Sequence, residues 1–495
     1  MQLATLLSYT TLGIEALEVQ IEVHLASGLP GLTIVGLAET EVRESRDRVR
    51  SAIINSGFEF PARRITVNLA PADLPKHGGK FDLPIALGIL VASGQVNPSI
   101  SKNSVFVGEL ALSGKIRSIR NALAIAAKCQ ERTQTLFCPK ENARELEPFF
   151  EQQVWLAEHL LEVTAAIQNQ KSLAHPQRPL QSAQGKYLDL AEVLGHQQAK
   201  RALEIAAAGR HNLLMTGPPG SGKSMPANRL AGILPPLSAK EALTSAIIHA
   251  SEGLEFDSGQ PSFRSPHHTS SAVALVGGCN FPKAGEVSLA HAGVLFLDEF
   301  AEFASAALQS LREPLENGEI TLSRANYKCR LPAHFQLIAA MNPCPCGYWG
   351  SERCRCSSSN IKRYLTRISG PLLDRIDLHL EVRQPDRKLL LTGKHEEPSS
   401  DIRRRVIQAR NMAIARQGQS NADLKASQFK EFLLATIDCE NLMQEAAERL
   451  QLSARVIHRT FRVARTIADL GQSEQVARAH LAEALTLRKP SIFQD

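Results

Sequence analysis

The sequence predicts an α/β protein in three parts: an N-terminal domain mixing strands and helices, a central α/β domain, and a helical C-terminal segment. Three observations predict it. Short apolar strands alternate with helices of three- and four-residue apolar spacing over the first third of the chain. A Gly- and Pro-rich loop lies between a buried strand and a helix near residue 220. After about Pro385 nearly every segment has helical periodicity. The 495 residues, 43% of them apolar, suffice for two to four domains with large cores, and no internal repeat is evident.

In chain order, Val19–Leu25, Gly31–Val35, Ile65–Leu69 and Val105–Val107 read as strands, and Glu41–Ser56, Leu83–Ala92 and Ala122–Cys129 as helices. This N-terminal domain is placed at 1–166. Gln168–Lys186, with five glutamines, Pro176 and Pro179, has almost no apolar periodicity, so 167–186 is expected to be a linker. The central domain, 187–385, holds the helix Ala199–Ala208 and strands His211–Met215, Val294–Leu297 and Phe335–Ala339, the last two of buried parallel-sheet type. The segment 386–495 reads as helices Ile402–Arg416, Ala426–Leu434, Cys439–Leu450, Ala454–Asp469 and Ser473–Leu487.

The net charge of +6 predicts no partner by itself. All of the excess falls in residues 360–495, with 23 basic and 17 acidic side chains, where either a nucleic-acid contact or a solvated helical face accounts for it. No basic residue precedes Arg43, and Glu15, Glu18 and Glu22 interrupt any signal-peptide core. The longest apolar run, Leu83 to Ala92, is half of the roughly 20 residues a bilayer requires. Nine cysteines in 495 residues do not make a secreted disulfide framework. The expected compartment is the cytoplasm, with no membrane partner.

Gly217-Pro218-Pro219-Gly220-Ser221-Gly222-Lys223-Ser224 fits the phosphate-loop pattern G-x-x-x-x-G-K-[ST] in the required strand–loop–helix setting. Glycines let backbone N–H groups curl around phosphates, and the helix N-terminus adds partial positive charge. Lys223 is expected on the β- and γ-phosphates of ATP or GTP, and the Ser224 hydroxyl on Mg²⁺. Pro226 is tolerable in a first helical turn, whose N–H groups lack intrahelical partners. Val294–Leu297 ends in Asp298 and Glu299. An acidic strand end beside a phosphate loop suits Mg²⁺ ligation, assigned to Asp298, and activation of the attacking water, assigned to Glu299; a helix cap is the alternative. A further strand ends in Asn342, suited to a hydrogen bond to that water or to the γ-phosphate, although a lone strand-end Asn is usually a turn residue.

Phosphate loop, strand-end Asp-Glu and strand-end Asn, in this order, resemble an AAA+ ATPase. Gly285-Glu-Val-Ser-Leu-Ala-His-Ala-Gly-Val-Leu-Phe-Leu-Asp-Glu-Phe300, Leu311-Arg-Glu-Pro-Leu-Glu-Asn-Gly-Glu-Ile-Thr-Leu-Ser-Arg324 and Gly370-Pro-Leu-Leu-Asp-Arg375 resemble the magnesium-chelatase-like branch, which is similar to the MCM replicative helicases. Over residues 1–490 the chain resembles the YifB/ComM family of competence-associated proteins. The resemblance implies that Arg375 is an arginine finger reaching a neighbouring subunit's ATP, that Arg455 is the sensor-2 residue of a helical lid, and that the protein forms a ring, a homo-hexamer. For either arginine the plain alternative is a surface ion pair of little energetic worth.

Ile320–Leu331 reads as two short strands around a polar tip. The resemblance places it as a pore hairpin, with Arg324 and Asn326 at the tip and Lys328 and Arg330 on the return strand. Gly277–Lys283 falls where that branch carries a second pore-facing insert, ending in Lys283. Basic tips in a ring pore can track the phosphate backbone of single-stranded or branched DNA with little sequence preference; an ordinary exposed hairpin is the alternative.

Cys344, Cys346, Cys354 and Cys356 put four sulfurs on one loop, matching structural Zn²⁺. The C-x-C pairs are tighter than the usual C-x₂-C, so a thiol switch or incidental cysteines stay open. Arg353 and Arg355 add positive charge there. Gly108–Arg117 and Cys138–Asn142 make the N-terminal domain resemble the Lon-protease-like (ribosomal S5 domain 2-like) fold. A Ser-Lys protease needs both residues; the segment Pro75–Pro84 has no Ser, Leu123 stands where the family Lys aligns, and Lys128 is out of register. The domain is therefore expected to be proteolytically inactive. His267 and His268 are expected in a packing or hydrogen-bonding role in a loop near the nucleotide, and His291 in a structural one. The function implied is a DNA-stimulated AAA+ ATPase translocating on DNA, a helicase or branch-migration factor acting with recombination proteins during natural transformation. The alternatives are a protein-remodelling or chelatase-type motor without DNA activity and a Lon-like protease, the latter opposed by the missing dyad.

Overall fold

A computed structural model describes residues 2–36, 40–97, 103–147, 149–150, 153–177, 187–257, 260–278, 282–324, 327–384 and 396–488. The chain forms two compact units, residues 1–183 with 246–258, and residues 184–245 with 259–495.

In the first unit β1 (Leu3–Leu12), β2 (Glu15–Ala26), β3 (Gly31–Val35), β4 (Arg64–Ala70) and β5 (Ser104–Phe106) are followed by a two-residue-per-strand hairpin, β6 (Glu109–Leu110) and β7 (Ile116–Arg117), then by β8 (Thr135–Pro139) and β9 (Val154–Ala157). Seven of them make one mixed sheet in the order β3-β4-β2-β1-β5-β8-β9. β2 alternates cleanly, burying Val19, Ile21, Val23 and Leu25, as a sheet with one covered face requires. The cover is the helix Asp82–Ala92, whose residues are all buried. Gly88 lies so close to β2 that a Cβ would come 2.5 Å from the Val23 side chain. The segment read as the start of a linker runs along the sheet edge: Leu156 N–H donates to Ala174 O at 2.8 Å and Leu173 is buried. Residues 178–186 of that segment lie outside the described residues.

The second unit is built on five parallel strands, β10 (Leu213–Thr216), β11 (Phe263–Arg264), β12 (Val294–Leu297), β15 (Gln336–Met341) and β16 (Leu378–Glu381), with a separate antiparallel hairpin, β13 (Glu319–Arg324) and β14 (Tyr327–Pro332), inserted before β15. The sheet order is β11-β12-β15-β10-β16. Every residue of β10, β12 and β15 is buried, which explains why they read as continuous apolar runs. The connections leaving the adjacent strands β10 and β15 run in opposite directions, to β11 on one edge and to β16 on the other. Ligands of open parallel sheets bind at such a switch point, beyond the strands' carboxyl ends.

The C-terminal helices are Ser399–Gln417, Ile437–Leu450, Ala454–Leu470 and Arg478–Thr486. Arg465 is fully buried and donates to Glu474 O at 2.7 Å, Leu433 O at 3.4 Å and Asp469 Oδ1 at 2.9 Å. Asp469 also accepts from Arg416 and from Asn421 Nδ2, both at 2.8 Å. Two helices differ from the sequence reading. Ala426–Leu434 is a 3₁₀ turn, Ala426–Gln428, followed by the short helix Phe429–Phe432. Ser473–Leu487 becomes helical only at Arg478, because Val476 pairs in extended form with Ala435. Among the described residues no helix is long and apolar enough to cross a membrane.

Candidate nucleotide site and metal-ligand cluster

The phosphate loop leaves β10 at the switch point. Thr216 O accepts from Val382 N–H at 2.7 Å and Gly217 N–H donates to Met341 O at 3.2 Å, so both neighbouring strands hold its start. A Cβ on Gly217 would lie 2.2 Å from Val382 O, so only glycine fits. Gly220 and Gly222 have φ of 71° and 79°. Ser224–Ala227 is helical with Pro226 in its first turn, and the helix ends there, giving way to the 3₁₀ segment Leu230–Ile233. Lys223 is buried, with Nζ donating to Gly217 O at 2.8 Å, Pro218 O at 3.0 Å and Asn342 Oδ1 at 3.2 Å. Burial lowers its pKa below the usual lysine range.

The strand-end residues converge on this loop. Ser224 Oγ donates to Asp298 Oδ2 at 2.6 Å across 74 positions of sequence. These hard oxygen donors suit Mg²⁺. Glu299 is left-handed at φ 52°, an uncommon conformation for a residue with a Cβ and one concentrated at functional sites. Its N–H donates to Asp298 Oδ1 at 2.9 Å, and its Oε2 lies 2.7 Å from His268 Nδ1. His268 is thus part of the site, in the hydrogen-bonding role near the nucleotide expected of the pair; that its partner is Glu299 was not visible in the sequence. The His267 and His268 rings lie 4.2 Å apart between centroids, tilted by 32°, outside any strand. His291 has the structural role expected: Nδ1 accepts from His334 N–H at 3.2 Å, and burial, aided by nearby Arg210, pushes its pKa down to about 4.

Arg375 makes its contacts elsewhere. Arg375 donates to Pro371 O at 2.7 Å and pairs with Glu316. The Glu316 carboxyl is held below its ordinary range, first by the hydrogen bond and charge of Arg375, and further by Arg455 and Arg312. Glu316 therefore holds Arg375, and the charge of Arg455 acts on the same exposed carboxylate; the described partners of Arg375 do not include residues 217–224.

The hairpin is as read, its pairing running from Glu319↔Pro332 to Arg324↔Tyr327. Lys328 and Arg330 are exposed, and Arg330 lies 3.9 Å from Glu319. Asn326 and the side chain of Arg324 lie outside the described residues. Lys283 is exposed; Gly277 bridges Ala284, and Gly278 N–H donates to Lys283 O at 3.1 Å.

Beyond Asn342 the chain enters the four-cysteine loop. The sulfurs of Cys344, Cys346, Cys354 and Cys356 all lie within 4.8 Å of one another. The separations from Cys344 to Cys346, Cys344 to Cys354 and Cys346 to Cys354 are 3.4, 3.9 and 3.7 Å. A tetrahedral site with Zn–S near 2.3 Å has an S···S edge of about 3.8 Å, so the spacing fits that ion; the thiols are free, not bridged. Backbone N–H groups of Tyr348 and Arg355 pull the Cys346 thiol down to about 6, whereas burial pushes Cys344 up to about 12.

In the first unit Lys80 occupies the segment where a nucleophile was sought. It is buried, its Nζ lies 3.2 Å from Thr11 Oγ1, and burial lowers its pKa to about 8. Leu123 is core, and Lys128 pairs with Glu131 at 2.7 Å.

Comparison with known proteins matches the family model described as magnesium chelatase, subunit ChlI, to residues 189–390. The model for subunit ChlI of Mg-chelatase matches residues 21–142, and that for the ChlI C-terminal region residues 396–488. Competence protein ComM of Haemophilus influenzae is 46% identical over 497 residues, covering 99% of this chain and 98% of the relative. Uncharacterized protein YifB of Salmonella typhimurium is 46% identical over 492 residues, covering 99% and 97%. Maternal DNA replication licensing factor mcm6 of Xenopus tropicalis is 25% identical over 232 residues, covering 43% of this chain and 26% of the relative.

Proposed function

The chain belongs to the YifB/ComM family of magnesium-chelatase-like AAA+ ATPases, and from that premise we propose that it is a hexameric, DNA-stimulated ATP hydrolase that translocates on DNA. The observation that carries the reading is the convergence of Lys223, Ser224, Asp298, Glu299 and Asn342 at one end of a parallel sheet. In it, the loop N–H groups and Lys223 hold the β- and γ-phosphates, Glu299 takes the proton of the attacking water, and Asn342 orients that water or the γ-phosphate. Ser224 and Asp298 would hold Mg²⁺, which supplies charge neutralisation between the phosphates. Arg375, paired with Glu316 rather than with the loop, fits a site completed by a neighbouring subunit, with Arg455 as the sensor-2 residue of the lid. The C-terminal helices then act as the lid, and the Lon-like N-terminal domain is proteolytically inactive. The four cysteines would hold structural Zn²⁺.

DNA is the partner favoured by the exposed Lys328 and Arg330 on the return strand of the hairpin and the exposed Lys283, by the similarity to the replication licensing factor, and by the name of the competence relative. The same features favour helicase or branch-migration work on DNA entering during natural transformation, in the cytoplasm. The match to magnesium chelatase models favours a second reading, a remodelling motor with a stable protein partner and DNA-indifferent ATPase. Unwinding of forked and four-way-junction DNA by the purified protein separates the two. No ATP-dependent strand displacement, together with no stimulation of ATPase by single- or double-stranded DNA, refutes the first.

A further inference from the structure

We propose that the four-cysteine loop is a metal-held brace for the phosphate loop, so that occupancy of the thiolate site by a zinc-class ion sets the affinity for ATP. The proposal rests on reading residues 217–224 as the ATP site. Its basis is a contact: Gly347, buried between the two cysteine pairs, packs so tightly on Pro219 that a Cβ there would lie 2.3 Å from Pro219 Cδ and 2.8 Å from its Cγ. Pro219 is otherwise exposed, so this loop is a main support of that corner of the phosphate loop. Gly347 is held in turn by the cluster. Its N–H donates to Cys344 O at 2.9 Å, and its φ of 83° is a conformation that glycine alone adopts without strain.

The brace is pinned at both ends on the same site. It leaves β15 through Asn342, whose Oδ1 accepts from Lys223, and after Cys356 enters the helix Ser358–Leu365. From that helix the buried Tyr364 hydroxyl returns to donate to Asn342 O at 3.1 Å. A metal at the four sulfurs therefore closes a loop whose start, middle and end all touch the nucleotide machinery. Without it, thirteen residues from Cys344 to Cys356 have little apolar packing to fix the position of Gly347, since only Cys344 and Gly347 among them are buried.

The test uses the full chain and two readouts: metal per chain by elemental analysis, and the Kd of a fluorescent ADP analogue. Wild-type protein is expected to carry one zinc-class ion per chain. Cys354→Ser with Cys356→Ser is expected to lose it and to bind nucleotide more weakly. Gly347→Ala is expected to keep the metal yet raise Kd at least roughly fivefold, the lower end of what an added methyl costs in a packed contact. Adding Pro219→Ala to Gly347→Ala removes the ring it strikes, and Kd should fall back toward that of Pro219→Ala alone. Wild-type protein without metal overturns the proposal, as does Gly347→Ala with wild-type affinity, or a loss that Pro219→Ala leaves unrelieved. If the cysteine variants do not fold, the Gly347/Pro219 pair decides. Failure of wild-type protein to bind the nucleotide at all would instead refute the ATP-site reading itself.

Discussion

Replacing Asp377 by Asn tests whether the strand entering the sheet beside the phosphate loop is held by charge. Asp377 is buried and accepts from Arg459 Nη1 at 2.6 Å and from Asn212 N–H at 3.0 Å, with His211 Nδ1 at 3.7 Å. Arg459 and Asn212 also donate to Arg375 O, at 3.1 and 2.9 Å, so the same network holds the backbone of that arginine. Asn keeps the shape but removes the charge, leaving Arg459 uncompensated. Breaking a buried pair costs about 3–5 kcal/mol. Because the Arg459 side chain is 21% exposed, part of its charge stays solvated and the lower value, about 3 kcal/mol, applies. For a unit of this size that lowers Tm by about 6 °C, at ~2 °C per kcal/mol. Burial raises the Asp377 pKa, but Arg459, His211 and the Asn212 N–H outweigh it and hold the carboxyl well below the usual range. The stability it contributes is therefore present above the unfolded pKa near 3.9 and lost only as pH falls through the depressed folded value. Calorimetry at pH 7 and at pH 5 should give the same difference between variant and wild type. A Tm shift under 2 °C, or one that vanishes between pH 7 and pH 5, refutes the reasoning.

Glu299→Gln should bind ATP with near-normal affinity while kcat falls by two or more orders of magnitude, about the contribution of a general base, and assembled rings should accumulate on size-exclusion chromatography; normal turnover would reject its role. Gly217→Ala should abolish nucleotide binding, since its Cβ would lie 2.2 Å from Val382 O; retained binding of a fluorescent ADP analogue would show the loop start to be free to shift. Arg324→Ala should cut DNA-stimulated ATPase and unwinding several-fold more than basal ATPase and reduce the salt slope of DNA binding by about one. An equal loss of basal and stimulated rates would make its role structural.

What the sequence revealed is what chain-local spacing encodes. The phosphate loop, Asp298, Glu299 and Asn342 were legible because each follows a buried parallel strand, and an unbroken apolar run announces both the strand and its end. The hairpin over 319–332 was legible from alternation, with Ile320, Leu322, Cys329 and Leu331 buried. β1 was missed because its burial does not alternate along the second half, where Ser8, Tyr9 and Thr10 are all buried. β11, at two residues, is too short for any period to register, and in β16 (Leu378–Glu381) His379 and the exposed Glu381 break the apolar run that announced the equally short β10 and β12. The pairings of His268 with Glu299 and of Glu316 with Arg375 are contacts across 31 and 59 positions, made by tertiary packing; the place of His268 near the nucleotide was expected, but no local pattern names either partner. A helix was expected from Ser473 because Val476 and its neighbours carry apolar residues at helical spacing, yet pairing with Ala435 satisfies that backbone first.

The buried guanidinium of Arg465 has a dynamic consequence. It satisfies carbonyls from two connecting segments while Asp469 ties in Arg416 and Asn421, so no one of these helices can open without stranding a charge in the interior. Amide protons of Ser399–Gln417 and Ala454–Leu470 should consequently exchange with deuterium together, at one opening free energy, as a single cooperative unit.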